Sequence, residues 1–118
     1  WAGVFTYSRE EGTPAYHYRG GLGTRLSQRT INKRKLILER NQTEITQSRL
    51  DRFIGRRFDV LVEENITGED LSLGRMYAQA PEVDGLVVLR SSRVSPGTVV
   101  KAKIIKRNGL DLEAEGPL

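Results

Sequence analysis

Two carboxylates, Glu82 and Asp84, stand two residues apart behind Pro81 in the stretch "GRMYAQAPEVDGLVVLR", residues 74–90. Carboxylates on a segment stiffened by proline are suited to holding a basic partner, because less entropy is lost when the segment is ordered. Other candidates for chemistry are few. His17 is the single histidine, and there is no cysteine. Glu10–Glu11 and Glu63–Glu64 are adjacent pairs, and neighbours along an extended chain point to opposite faces, so neither pair converges on one reacting atom. A thiolate zinc site or a cysteine-held iron–sulfur cluster is excluded for this chain alone. We therefore expect no catalytic residue, no cofactor ligand and no metal ligand in these 118 residues, and we read His17 as a surface residue.

The charge balance says what kind of partner to expect. The net charge is +4, but it is unevenly placed. Residues 25–57 carry ten Lys/Arg against three Asp/Glu, while residues 58–118 carry seven against ten. The basic excess thus lies in the middle of the chain, where weak, sequence-independent RNA contact is possible. The last part is acidic and lacks the excess of cations that phosphate neutralisation requires. No apolar run is long enough for a membrane span. The absence of cysteine fits a reducing, cytoplasmic setting. The chain opens on Trp1 without a methionine and reads as a piece of a longer protein.

The elements that must position these residues follow from periodicity. "WAGVFTY" predicts a short buried strand, with a loop to about Tyr16 and a Gly-rich connection over 16–24. Ser27, with Thr24 as a rival, can cap a helix running to about Ile54. Its apolar stripe, Ile31, Leu38 and Ile45, is narrow, so the helix lies on a surface and does not cross a core. Gly55 is suited to end it. From there the period changes to two. Strands are predicted over 58–64, 71–78, 86–91, 99–107 and 110–115, with Phe58, Val60 and Val62 on one face and Val100, Ala102, Ile104, Leu110, Leu112 and Ala114 inward. Gly74 inside a strand predicts a bulge or a close backbone approach. Asn108–Gly109 predicts a tight hairpin. Five short strands, each with one apolar face, are suited to a small barrel, which removes exposed edges.

The run Gly74-Arg75, Tyr77, Ala80-Pro81-Glu82, Asp84-Gly85 closely resembles the TRAM domain of the RimO family, radical-SAM methylthiotransferases. The sister family that modifies tRNA, the MiaB type, shares the Gly-Arg but lacks the Ala-Pro-Glu-x-Asp-Gly insert. A second matching run is Tyr7, Ser8, Glu10, Gly12, Thr13 and Ala15, which resembles the last strand and loop of the radical-SAM domain. Where the family usually shows Tyr-Asp-Leu, this chain has Leu110-Asp111-Leu112.

The resemblance implies three parts: residues 1–24 from the end of a radical-SAM domain, a linker helix over 25–55, and a TRAM domain over 56–118. The implied fold is a five-stranded antiparallel, OB-like barrel preceded by a strand and a helix. The implied parent carries two [4Fe-4S] clusters, uses S-adenosylmethionine, and methylthiolates an aspartate of small-subunit ribosomal protein twelve. The cluster ligands would lie outside this chain, which alone would be inactive. The implied partners are that basic protein and the rest of the radical-SAM domain, with no membrane. Arg75, Tyr77, Glu82 and Asp84 are the expected contact residues. Two readings stay open beside it: an RNA-binding TRAM module of a tRNA methylthiotransferase, and a structural brace for the catalytic domain.

Overall fold

The computed structural model describes residues 2–17 and 26–118. The chain divides into two compact units, Trp1–Glu44 and Ile45–Leu118. The one long helix, α1 (Gln28–Asp51), starts in the first unit and ends in the second.

In the first unit, residues 2–10 form no strand. A strand needs a neighbour to take up its N–H and C=O groups, and no strand is present among the unit's described residues. Residues 7–17 instead close on themselves. Tyr7 donates to the carbonyl of Ala15 (3.0 Å) and Thr13 Oγ1 to that of Glu10 (2.8 Å). The Arg9 guanidinium lies 3.8 Å from the centre of the Tyr16 ring and donates to the Tyr16 carbonyl, where a short 3-10 turn runs over Pro14–His17. The connection expected over residues 18–24 and the rival cap Thr24 lie outside the described residues. Ser27 caps α1, its Oγ accepting from Thr30 N at 3.2 Å. The helix's apolar stripe is shallow: Leu36, Leu38 and Ile45 are half exposed, and Leu50 is its one buried residue.

In the second unit, Gly55 stops the helical turns with φ 83° and donates its N–H to the Ile104 carbonyl at 2.8 Å. Five strands follow: β1 (Arg57–Asn65), β2 (Ser72–Arg75), β3 (Val87–Leu89), β4 (Val99–Asn108) and β5 (Asp111–Glu115). They close into a barrel in the order β1-β2-β3-β5-β4. The expected five-stranded barrel is therefore present, with one difference in pairing. β3 runs parallel to β5, while the other four pairs are antiparallel. Closure requires β3 to meet β5, and its direction is already set by β2 on its other edge. No helix among the described residues is long and apolar enough to cross a membrane.

The alternation of residue types decides what fills the barrel. Val60, Val62, Val87, Leu89, Ala102, Ile104, Leu112 and Ala114 are buried, and Met76, Val94 and Leu50 belong to the same core. β2 is the exception: it turns Ser72 and Gly74 inward and leaves Leu73 outside. Ser72 Oγ lies within donating distance of the Ser91 carbonyl (2.5 Å) and of Asn65 Oδ1 (2.7 Å), so its burial leaves no polar atom stranded. Gly74 is required by space. A β-carbon there would stand 2.4 Å from the Leu61 carbonyl oxygen, opposite the point where β1 bulges between Val62 and Glu64. The hairpin between β4 and β5 turns through Gly109 and Leu110, because Asn108 still pairs with Asp111. Positive φ occurs at Gly109 (64°) alone, the Gly-x form of a two-residue turn and not the Asn-Gly form expected.

Charged side chains tie the outside together. Arg107 grips Asp51 at the end of α1 with Nε at 2.5 Å and Nη2 at 3.3 Å. Glu113 accepts from Arg90 (3.0 Å) and from Asn108, and faces Lys106 at 3.7 Å.

Two outcomes are expected. Gly74→Ala should lower stability in urea unfolding by about 1–3 kcal/mol, the usual cost of forcing atoms into a packed site; an unchanged midpoint would remove the close approach from the account. The second concerns acid. The hydrogen bond from Arg90, helped by Asn108 and the nearby cations, holds the Glu113 carboxyl below its ordinary range despite some desolvation. A depressed carboxyl contributes stability that is complete above its unfolded pKa and is lost as pH falls through the folded one. Glu113→Gln should therefore lower stability near neutrality and flatten its fall in acid, measured by denaturant unfolding over a pH series.

Candidate recognition loop

Eleven residues, 76–86, join β2 to β3, although the two strands are direct antiparallel neighbours. The loop is built from two small closures. In the first, Gln79 N donates to the Met76 carbonyl (3.0 Å), while Gln79 Oε1 accepts from Met76 N (3.1 Å). Met76 and Gln79 are both buried, and they root the loop in the barrel. In the second, Ala80 N donates to Asp84 Oδ2 (3.0 Å), and the Val83 and Asp84 N–H groups point back to the Ala80 carbonyl (3.4 and 3.3 Å). Pro81, Glu82 and Val83 form the crest between. The loop then re-enters the sheet through Gly85, whose missing β-carbon would fall 2.4 Å from the Leu110 carbonyl oxygen. Leu86 N donates to Asp111 Oδ1 at 2.9 Å, and the parallel seam with β5 starts there.

The loop places the four expected contact residues in different settings. Arg75 is half-buried at the end of β2, and its Nε is 3.1 Å from Glu63 Oε1. Tyr77 is 82% exposed, and its ring lies 6.2 Å from that of Phe58, tilted by 37°. Phe58 in turn meets Phe53 edge to face at 5.1 Å. Glu82 is exposed and makes no hydrogen bond or ion pair among the described residues. Asp84 turns back into the loop, with Oδ2 on Ala80 N and Oδ1 buried without a partner. Tyr77, Glu82 and Asp84 thus share one loop, and Arg75 stands at its root.

Three marks distinguish this loop from an ordinary connection. Glu82 has φ 59°, the one non-glycine residue with positive φ among those described, a conformation that costs an L-residue roughly 1–2 kcal/mol. Gln79 Nε2 and Asp84 Oδ1 are the two buried side-chain polar atoms without a hydrogen-bond partner among the described residues. Both belong to this loop. Beside Tyr77, Val83 is 60% exposed, so the crest carries apolar as well as acidic groups. Strain and unmet polar groups gather where a surface is kept for binding.

Sequence reasoning did not find Gln79, Val83 or Asp111. Gln79 looks like any polar turn residue, and nothing in its neighbours signals that it is only 6% exposed. Asp111 sits in an alternating strand, where a polar residue reads as solvent-facing. Among the described residues no group of three His, Cys, Asp or Glu side chains could hold a metal ion. The loop presents exposed aromatic, apolar and acidic side chains, Tyr77, Val83 and Glu82, which suit binding.

The TRAM domain matches residues 54–116, which takes in all five strands and the whole loop. This chain belongs to the TRAM domain family. Beyond that domain, nearly all of the chain is similar to proteins named ribosomal protein uS12 methylthiotransferase RimO. It is 47% identical to the Treponema denticola protein over 97% of this chain and 26% of that one. It is 39% identical to the Aquifex aeolicus protein over 95% of this chain and 26% of that one. It is 33% identical to the Carboxydothermus hydrogenoformans protein over 96% of this chain and 25% of that one. The expected resemblance to the RimO family is therefore found, and this TRAM-domain chain spans about 26% of the relatives' length.

The internal bonds of the loop lead to a stability pattern. Asp84→Ala removes the acceptor of Ala80 N and should cost about 1 kcal/mol. Glu82→Gly relieves the left-handed strain and, net of the extra freedom glycine has when unfolded, should raise stability by up to about 1 kcal/mol. Tyr77→Ala should move it by less than about 0.5 kcal/mol, as is usual for exposed side chains. Thermal or urea unfolding of the three variants checks the order; equal values would mean that the loop is not closed as described.

Proposed function

We propose that this chain is the substrate-binding, TRAM-bearing part of a radical-SAM methylthiotransferase that modifies an aspartate of small-subunit ribosomal protein twelve. The observation that carries the reading is the identity to the RimO proteins over nearly the whole chain. In this reading residues 1–24 belong to the end of the radical-SAM domain, 25–55 link, and 56–118 form the recognition domain. The enzyme works in the cytoplasm. Its chemistry would come from [4Fe-4S] clusters and S-adenosylmethionine. The chain has no cysteine, so its residues do not fit a thiolate-held cluster. Those groups would be held by other parts of the enzyme.

This chain's task would be to hold the substrate protein. Ribosomal proteins are commonly basic, and the acidic half of the chain offers the matching sign. Tyr77 and Glu82 would touch the partner. Asp84 and Arg75 would shape the loop and its root. One observation favours a second reading, RNA contact: ten Lys/Arg fall within residues 25–57. Such contact would be sequence-independent and would weaken steeply with salt.

Binding of purified ribosomal protein twelve to the chain tests the first reading. Glu82→Lys should weaken it roughly 2- to 10-fold at low ionic strength, the worth of one or two exposed charge contacts. The difference should nearly vanish at about 1 M salt, where the screening length is only about 3 Å. Absence of binding by the unaltered chain would defeat the reading. Tight, sequence-selective tRNA binding that survives removal of residues 1–54 would instead favour an RNA-binding TRAM module of a tRNA methylthiotransferase.

A further inference from the structure

The open aromatic on the recognition loop has no role in the barrel. Tyr77 is 82% exposed, and the Phe58 ring, 6.2 Å away, restrains it from one side. Phe58 is itself held by Phe53 at 5.1 Å, so a row of three rings runs outward from the barrel wall to solvent. Leaving a large aromatic in water forgoes its burial energy, which is the main reason a fold uses one. The phenol oxygen makes no hydrogen bond among the described residues, so polar anchoring does not explain its placement either. The face is free for a ligand.

The surroundings decide which ligand. Between Met76 and Leu89 there is no lysine or arginine, and there are two carboxylates. Asp84 is engaged within the loop through Ala80 N, so Glu82 is the free negative charge of the crest. It is presented from a left-handed backbone that glycine would adopt at lower cost. The carboxylate is thus kept at this position against strain. The loop carries an exposed aromatic and a free carboxylate but no cation of its own, and the flanking Arg75 and Arg90 are paired with Glu63 and Glu113, so it repels phosphate and attracts a positive group. A ring face binds a guanidinium through its quadrupole, and a carboxylate takes the guanidinium edge through charge-assisted N–H bonds. Val83, 60% exposed at the crest, can cover the methylene stem of the same side chain.

We propose that Tyr77, backed by Phe58, and Glu82 form a seat for one cationic side chain of the protein partner, an arginine above a lysine. The proposal rests on the reading of the chain as a protein-binding module and names the chemistry that this loop selects. An arginine is favoured because its planar head stacks on a ring and still offers edge donors to a carboxylate, whereas an ammonium does one or the other. A nucleobase stacked on Tyr77 is the competing occupant. It would bring its phosphates to a loop with no cation to receive them.

Two probes separate this proposal from the reading beneath it. One is purified ribosomal protein twelve. The other is a pair of short peptides, one carrying arginines and one with lysines at the same positions. Each is titrated into the 118-residue chain and its variants. Tyr77→Phe should keep affinity for both probes, because the ring face is retained. Tyr77→Leu should lose about 3- to 10-fold, in line with an exposed or partly desolvated cation–π contact. Glu82→Gln should lose a similar factor for the arginine peptide, and that peptide should bind more tightly than its lysine twin. The Tyr77 ring resonances should shift on adding the arginine peptide. If ribosomal protein twelve binds but Tyr77→Leu binds it equally well, the seat is overturned and the substrate reading stands. If the arginine peptide uses Tyr77 while ribosomal protein twelve does not bind, the seat stands and the substrate reading falls. Binding of neither probe, no preference for arginine, or a single-stranded RNA that binds in its place and loses affinity with Tyr77→Leu would each overturn the seat.

Discussion

The second unit depends on a single seam, the parallel contact between β3 and β5. Four antiparallel pairings bring the sheet round to the point of closure, and this fifth one removes the last two edges. An unclosed edge would leave a row of N–H and C=O groups unpaired, open to water or to another chain. The seam is short, three residue pairs, and it is reinforced at both ends. At one end Asp111 Oδ1 accepts from Leu86 N, and Leu112 N donates to the Leu86 carbonyl. At the other, Arg90 N donates to the Ala114 carbonyl, while the Arg90 side chain reaches Glu113. Gly85 lets the chain pass close enough to Leu110 for the first of these contacts to form.

The candidate recognition loop hangs from that seam. Its second foot is Gly85–Leu86, so the closure that completes the barrel also fixes where the crest begins. Its first foot is Met76, buried in the core beside β2. A loop held at both feet by the barrel can carry an unfavourable backbone at Glu82 and two unmet polar atoms without unravelling. Rigid support with a strained crest is the usual arrangement where a scaffold displays a binding surface. The family match to residues 54–116 includes this support and its crest together.

What could be read from the sequence was whatever repeats with a fixed period. Val60 and Val62, Ala102 and Ile104, and Leu112 and Ala114 alternate cleanly and are buried as expected, while Phe58, Val100 and Leu110, which begin or precede the same faces near the strand ends, are only partly buried. Gly74 was legible because a glycine weakens a strand unless the backbone needs the space a side chain would fill. Both the bulge and the close approach are present there. β2 was only half legible. Its leucine lies outside and its serine inside, because Ser72 shares a face with Gly74, where the backbone of β1 leaves no room for a side chain. The parallel seam was invisible, since pairing direction is set by the closure of the whole sheet and not by any local signal. The strand expected over residues 1–7 is not formed by residues 2–7, for a related reason: residue types announce a strand, but only a neighbour makes one. In the loop, Glu82 and Asp84 looked alike. Two carboxylates of one spacing ended in opposite roles because one side chain found the Ala80 N–H and the other did not.

The order of strands in the barrel also governs when it can form. β1 finds one partner nearby in β2, but its other partner is β4, with Arg57 facing Lys103. β3 likewise waits for β5. The first three strands can therefore assemble as a meander while both of its outer edges are open, until the β4–β5 hairpin arrives as a unit and fills the gap between them. The decisive contacts join residues far apart in the chain. Small barrels of such topology typically fold in about milliseconds to seconds, far more slowly than helical domains of the same size. The two-residue Gly109–Leu110 turn has a reach well beyond its own length, because it sets two strands in register for the ring to close on.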